Sequence, residues 1–337
     1  VSNLVARARA LADDVLFPAA AQVDLRGEVP RSHFDALAEA GLYGLAAPPE
    51  VGGPGAGLAE LVAVIETLAG GCLSTTFTWV QHHGLVAALS GSANDALRSQ
   101  YLADLVKGTV RAGVAYAGVI PTPPRTRARR VSDGFRFDGE APFVSGWGGI
   151  DLLMLSGRTP EDTVVTTVVA PVAGHGLHAS PLRLIAAQGT STVRIGLDDY
   201  YVPAERVLAE VSHADFVAGN TFASRLNGCA PLGLSERCAR LLSDLGRTET
   251  AAALRADQSQ IRIRLDSGLT DPASLPAARA AGAELAYRSA GALVAATGSR
   301  SVLTGEHAGR LVREATFLLV AASRPEIRDG LLALARR

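Results

Sequence analysis

The chain has 337 residues, 48% of them hydrophobic and 19% charged, with a formal net charge of −1. That length allows roughly two or three domains with sizeable cores, and the composition excludes a disordered chain. The near-neutral balance gives no electrostatic footprint for nucleic acid or an anionic membrane surface.

Residues 1–110 predict helices. Leu4, Ala8, Leu11 and Val15 recur at a helical period, with Arg7, Arg9 and Asp14 on the other faces. Phe34, Leu37, Ala38 and Leu42 repeat the pattern behind Ser32, an N-cap candidate. AAPPEVGGPGAG then breaks the helix, and further helices are expected over 58–68, 77–89 and 97–105. The texture changes after Gly108. PTPPRTRARR (121–130) reads as a proline- and arginine-rich loop. FRFDG, APFVSG, DLLMLSG, TVVTTVVAP and TVRIGL are short β-branched and aromatic runs punctuated by glycine, which predicts strands. Alanine- and leucine-rich sequence follows, with bundle helices expected over 232–242, 277–296 and 310–321 and breaks near Gly246 and at GLTDPASLP. The pattern predicts an α+β multi-domain fold: an N-terminal helical domain over 1–110, a central antiparallel β-barrel or sandwich over 111–209, and a C-terminal helical bundle over 210–337.

Three dispersed cysteines, Cys72, Cys229 and Cys238, form no CxxC pair, which suits free thiols in a reducing compartment. The opening residues contain Asp13 and Asp14 and lack a leader-like apolar core. No run of about 18 apolar residues occurs, so a cytoplasmic chain with no membrane span is expected. Lys107 is the sole lysine among many arginines, which reads as codon bias.

Three strings carry a resemblance. LVREATFLLVAASRPEIRDGLL (311–332) resembles the R-D-A-x-x-x-x-I-x-E-G-T-x-E-I-x-R segment of the acyl-CoA dehydrogenase family, with Arg313, Glu314 and Ala315 at R-D-A and Glu326, Ile327 and Asp329 in the E-I-x-R region. FPAAAQVDLRGEVPRSHFDALAEAGLYGLAAPPEVGGPGAG is similar to an N-terminal family pattern at Pro18, Asp24, Pro30, Leu37, Gly41, Gly44, Pro48, Gly52, Gly53 and Gly55. GTSTVRIGLDDYYVPAERVL resembles the string that closes the family's β domain, at Asp198, Asp199, Val202, Pro203 and Leu208. The resemblance implies FAD held between the β domain and the bundle. It also implies proton abstraction from Cα of an acyl-CoA thioester, with hydride passing to the flavin. General-base geometry governs the first step, and the cofactor carries the redox chemistry.

The same resemblance implies site residues. FVSGWG stands where the family has an aromatic and then a Thr or Ser two residues on, so Phe143 is expected to flank the isoalloxazine and Ser145 to offer its hydroxyl near N5. The other reading is a strand end with Phe143 in the core. The T-E-P-x-A-G-S-D signature is missing after GVAYAG, where PTPPRTR replaces it, so Tyr116 is expected to touch the flavin through its backbone and phenol. Arg324 stands at the family's Gly-Thr and completes the expected cofactor contacts. The arginines of 125–130 are either CoA-phosphate ligands or a solvated loop.

The departures concern the base. Ala322 stands where family members carry a glutamate, and Ala223, eight residues before Pro231, occupies a second known base position. Alanine cannot accept a proton. Glu326, a turn beyond Ala322, and His83 are the replacements expected, with Glu306, Glu314, Asp215 and His82 behind them. Neighbouring helical side chains diverge by about 100°, so at most one histidine of the pair can face the flavin; the other reading is one buried and one solvated side chain. The family's R-x-x-F-G motif is missing from LGRTETAAALRADQSQIRIRL, with Arg247, Arg255 and Gln258 at non-matching spacing. No metal-ligand spacing and no dinucleotide glycine loop appears. The implied function is an FAD-dependent, acyl-CoA dehydrogenase-like desaturation of an acyl-CoA or related thioester, with a relocated base. Two alternatives stay open: a flavin-dependent monooxygenase of the same superfamily, and a non-catalytic partner subunit. A homo- or hetero-oligomer, dimer or tetramer, is expected, with 277–296 either at its interface or packed within the chain.

Overall fold

A computed structural model describes residues 3–336. Six α-helices come first: α1 (Asn3–Ala10), α2 (Phe17–Arg26), α3 (Arg31–Glu39), α4 (Leu58–Gly71), α5 (Leu73–Ser90) and α6 (Asp95–Lys107). A π-helical turn, Leu11–Leu16, joins α1 to α2. It shifts the buried face by one residue, so Ala12 and Leu16 are buried in place of the expected Leu11 and Val15. Ser32 does not cap α3. That helix starts at Arg31 behind Pro30, whose ring supplies no side-chain acceptor. Asn94 does cap α6, accepting from the Leu97 amide (3.1 Å).

Eight strands follow: β1 (Ala112–Ala115), β2 (Thr126–Val131), β3 (Gly134–Val144), β4 (Leu152–Arg158), β5 (Thr163–Val169), β6 (Leu177–Pro181), β7 (Val193–Pro203) and β8 (Val207–Ser212). They form one sheet in the order β6-β7-β3-β2-β4-β5-β8, with β1 also on β4. Most ladders are antiparallel, as expected, but β1 and β2 both pair parallel to β4, so the sheet is mixed. Half of the expected arginine-rich loop is strand β2. Thr126 and Ala128 are buried while Arg127 and Arg129 point outward, the alternation of a half-buried strand. Arg125, Arg129 and Arg130 pair with Glu140, Asp199 and Glu210, which gives these arginines a role in the sheet's surface ion pairs.

The C-terminal region holds α7 (His213–Ala218), α8 (Thr221–Leu226), α9 (Cys229–Asp244), α10 (Thr248–Ser267), α11 (Leu275–Thr297), α12 (His307–Val320) and α13 (Pro325–Leu334). α11 is the central helix, touching α9, α10, α12 and α13. Its Ala278, Leu285, Ala286 and Ala290 are buried inside the bundle, the Leu285 side chain alone contributing about 1.5–3 kcal/mol. One face of this stretch is therefore packed within the chain, while Tyr287, Arg288 and Gly291 stay exposed.

Several contacts join the N-terminal helices to the C-terminal bundle, among them the following. α4 crosses α9 at Gly233, where a Cβ would lie 2.1 Å from the Glu66 carbonyl oxygen, so a larger residue there would force the helices apart. Arg237 and Arg240 of α9 converge on Asp13 (2.5 and 2.8 Å). No helix among the described residues is long and apolar enough to cross a membrane.

Candidate active-site cavity

A cavity of about 870 Å³ opens between α4, α5, the β1/β4 pair and α7–α8. Its walls are mostly apolar, among them Ile65, Val80, Met154, Phe222 and Leu226. The parallel register sets Val114 beside Met154, and both line the cavity. Gly84 lets α5 lie against this pair, since a methyl there would come within 3.2 Å of Val114. The ionisable side chains in this lining are His83, Tyr116 and Asp215.

Tyr116 follows the last residue of β1, with its ring edge-on to Phe216 at 6.2 Å. Burial pushes its phenol up, while Arg324 and Arg279 pull the other way. Asp215 lies in the first turn of α7. Ser212 caps that helix, accepting from the Asp215 amide (3.0 Å) and donating to Asp215 Oδ2 (2.6 Å).

His83 lines the cavity, but it is a poor base. Nε2 donates to the Leu42 carbonyl (3.1 Å) and Nδ1 is buried without a partner. Burial depresses its pKa to about 4, and a base that weak accepts few protons near neutrality. His82 is committed on both sides: Nε2 donates to the Leu105 carbonyl and Nδ1 accepts from the Ala112 amide, each at 3.1 Å.

Glu326 is exposed in the first turn of α13 and takes no part in the cavity lining. Of the two alanines at the expected base positions, Ala223 lines the cavity. Ala322 sits in the turn between α12 and α13 with φ +48°. Glu314 is the buried partner of Arg310 (2.6 Å). Arg255 pairs with Glu236, and Gln258 donates to the Leu232 carbonyl (2.6 Å), so both have structural partners.

Phe143 and Ser145 lie at the end of β3, outside this lining. The β3/β7 register shifts between Ala141 and Val144. Phe143 there adopts φ +53° and is 66% exposed. The core reading of Phe143 therefore fails, and an exposed aromatic in a strained conformation is where a functional constraint is sought. Ser145 is buried in a chain of hydroxyls whose direction can be read. Thr190 Oγ1 donates to the Ala187 carbonyl (2.8 Å), so Thr192 must donate to Thr190 (2.7 Å) and Ser145 to Thr192 (2.8 Å). Ser145 thus keeps only lone pairs for a ligand. Thr78 Oγ1 on α5 is buried without a partner, and Thr78 approaches Gly146, where an added Cβ would lie 3.2 Å from its methyl. An uncovered ring, an acceptor-only hydroxyl and an orphaned hydroxyl nearby fit a flat heterocycle such as a flavin.

Sequence reasoning missed Arg279. Its sole signal was a charge inside AARAAG, where bundle core was expected. It is 5% exposed, and it donates to Ser224 O (3.0 Å), Ser224 Oγ (3.3 Å) and Ala322 O (3.5 Å).

Comparison with known proteins accords with this architecture. Residues 2–109 match the model of the acyl-CoA dehydrogenase N-terminal domain. A 3-sulfinopropanoyl-CoA desulfinase of Paraburkholderia xenovorans is 31% identical over 58% of this chain and 52% of its own length. The chain thus spans about half the length of that curated relative. The mitochondrial isovaleryl-CoA dehydrogenase of Arabidopsis thaliana is 21% identical over 94% of this chain and 86% of its own. In structure, the butyryl-CoA dehydrogenase of Megasphaera elsdenii superposes with a TM-score of 0.85 at 15% identity, covering 99% of this chain and 97% of its own. KijD3, solved in complex with dTDP, gives 0.82 at 20% identity over 98% and 95%. With helices before a mixed sheet and a helical region after it, the chain has the acyl-CoA dehydrogenase fold, and its N-terminal helical region matches that family's N-terminal domain.

Proposed function

We propose that this chain is an FAD-dependent oxidoreductase acting on an acyl-CoA thioester, with its proton acceptor moved to Asp215. The carrying observation is the apolar cavity of about 870 Å³ whose lining includes Tyr116, Asp215 and Ala223. A cleft of that size and polarity suits an acyl chain. FAD, when bound, supplies hydride acceptance. Phe143 offers a ring for stacking, and Ser145 offers lone pairs to an N–H donor. Tyr116 and Arg324 complete the expected contacts. Asp215 is the carboxylate in the cavity wall, and its bond from Ser212 orients it. Like its relatives in the superfamily, the protein is proposed to work as a dimer or tetramer, homo- or hetero-oligomeric.

The test is an anaerobic titration of the FAD-loaded chain with a panel of acyl-CoA thioesters, following loss of the flavin's visible band. Asp215→Asn should keep FAD and slow bleaching by about 10²–10⁴-fold; an unchanged rate removes Asp215 from the mechanism. If no thioester bleaches the flavin, the desaturation reading fails. Reductase-dependent oxygen consumption would then favour the monooxygenase, a reading to which the alanines at 223 and 322 lend support. Flavin retained only on co-expression with a second chain would favour the partner subunit.

A further inference from the structure

The described residues contain many arginines with carboxylate partners. Arg310 has Glu314, Arg237 has Asp13, and Arg225 has Asp266. Two arginines beside Tyr116 break the pattern. Arg279 is buried and donates only to neutral oxygens, those of Ser224 and Ala322. Arg324, at the start of α13, has a fully buried Nη2 with no partner. Arg279 reaches the Ala322 carbonyl, two residues before Arg324, and both charges act on Tyr116. The groups that face Arg279 are Tyr116, Cys229 and Arg324; none is a carboxylate. Burial and the neighbouring guanidinium lower Arg279 to about 10, so it stays charged at neutral pH.

A buried guanidinium beside a second, half-buried one is repelled by it and has lost hydration, with no carboxylate to offset the charge. Guanidinium forks are built for carboxylate, sulfinate or phosphate oxygens. Tyr116 lines the cavity and feels both charges. Arg279 also bonds to the backbone of Ser224 and Ala322, next to and at the two positions where a family carboxylate is absent.

We infer that Arg279, Arg324 and the Tyr116 hydroxyl form a subsite for an oxyanion brought in by a ligand of the cavity. The anion has two possible sources: an acidic group on the acyl substrate, or the pyrophosphate of the dinucleotide cofactor. The second source rests on the flavin reading above; the anion site does not.

Titrating the purified, ligand-free chain with inorganic pyrophosphate and with glutarate, using butyrate as control, tests the site by thermal shift and calorimetry. At least one of the two oxyanion probes should bind and raise the melting midpoint more than butyrate does. Arg324→Gln, a half-buried position, should weaken that probe by about tenfold or more, since a charge-assisted hydrogen bond is lost. Arg324→Lys should recover part of the loss, and far-UV circular dichroism checks that both variants fold. No binding by either probe, or equal binding by wild type and Arg324→Gln, overturns the proposal. FAD and riboflavin then separate the sources. A loss confined to FAD assigns the anion to the cofactor, and a loss confined to glutarate assigns it to the substrate. A chain that binds pyrophosphate but neither flavin keeps the subsite and refutes the flavin reading.

Discussion

Arg310 and Arg279 are both buried arginines of the same bundle, and they are treated oppositely. Arg310, on α12, has the Glu314 carboxylate one turn away. Burial alone would lower its pKa, yet Glu314 outweighs it and holds the guanidinium charged. Arg279, on α11, has carbonyl and hydroxyl oxygens and no counter-charge. His83 shows a third solution. It is a buried base that has given up its proton, held at about 4. A buried charge that is paired in cis serves the fold. One left unpaired beside a cavity is available to something that enters it.

Three measurements would break or sharpen that contrast. The largest effect is expected at Glu314. Glu314→Gln keeps the volume and strands the Arg310 charge, so urea unfolding should show a loss of about 3–5 kcal/mol. A loss under about 1 kcal/mol would mean that water reaches the pair. The second is a pH effect. His83 binds its proton more tightly when unfolded (ordinary value 6.5) than when folded (about 4). Stability should therefore be complete above about pH 6.5 and fall as the pH drops toward about 4, by on the order of 3 kcal/mol. His307, also held at about 4 by burial and Arg310, acts in the same window. His83→Gln should flatten the difference between urea midpoints at about pH 7 and about pH 5; an unchanged slope would show that His83 is solvated. The smallest effect is expected at Arg279. Arg279→Met removes a charge with no partner, so the ligand-free chain should stay within about 1 kcal/mol of wild type or gain stability. A loss as large as that of Glu314→Gln would show that the carbonyl contacts of Arg279 hold the bundle together.

Much of the architecture was legible because it rests on local periodicity. Helices α4, α5, α9 and α11 cover the segments where apolar spacing predicted them. The misses have physical causes. The π-helical turn adds a residue that no 3.6-residue template contains. Strand β2 was hidden because its exposed positions are arginines and prolines precede it, although Thr126 and Ala128 alternate as a strand should. The parallel pairing of β1 with β4 joins segments about 40 residues apart and has no local signal.

The candidate site was harder to read than the fold. Tyr116 and His83 do face the cavity, but Glu326 does not. Asp215 was one name among several, and only the fold brings its helix to the cavity wall. Arg279 and Arg324 lie 45 positions apart in sequence, and their shared isolation appears only when each neighbour's charge is known.

The widened turn at Leu11–Leu16 has a consequence for how the chain tolerates insertions and deletions. Asp13 sits inside it and is bound by Arg237 and Arg240, which lie more than 220 positions downstream. Removing one residue before Asp13 would restore regular winding and rotate this carboxylate by about 100°. The ion pairs that tie this turn to α9 would then be lost, even though every apolar residue of the core remained.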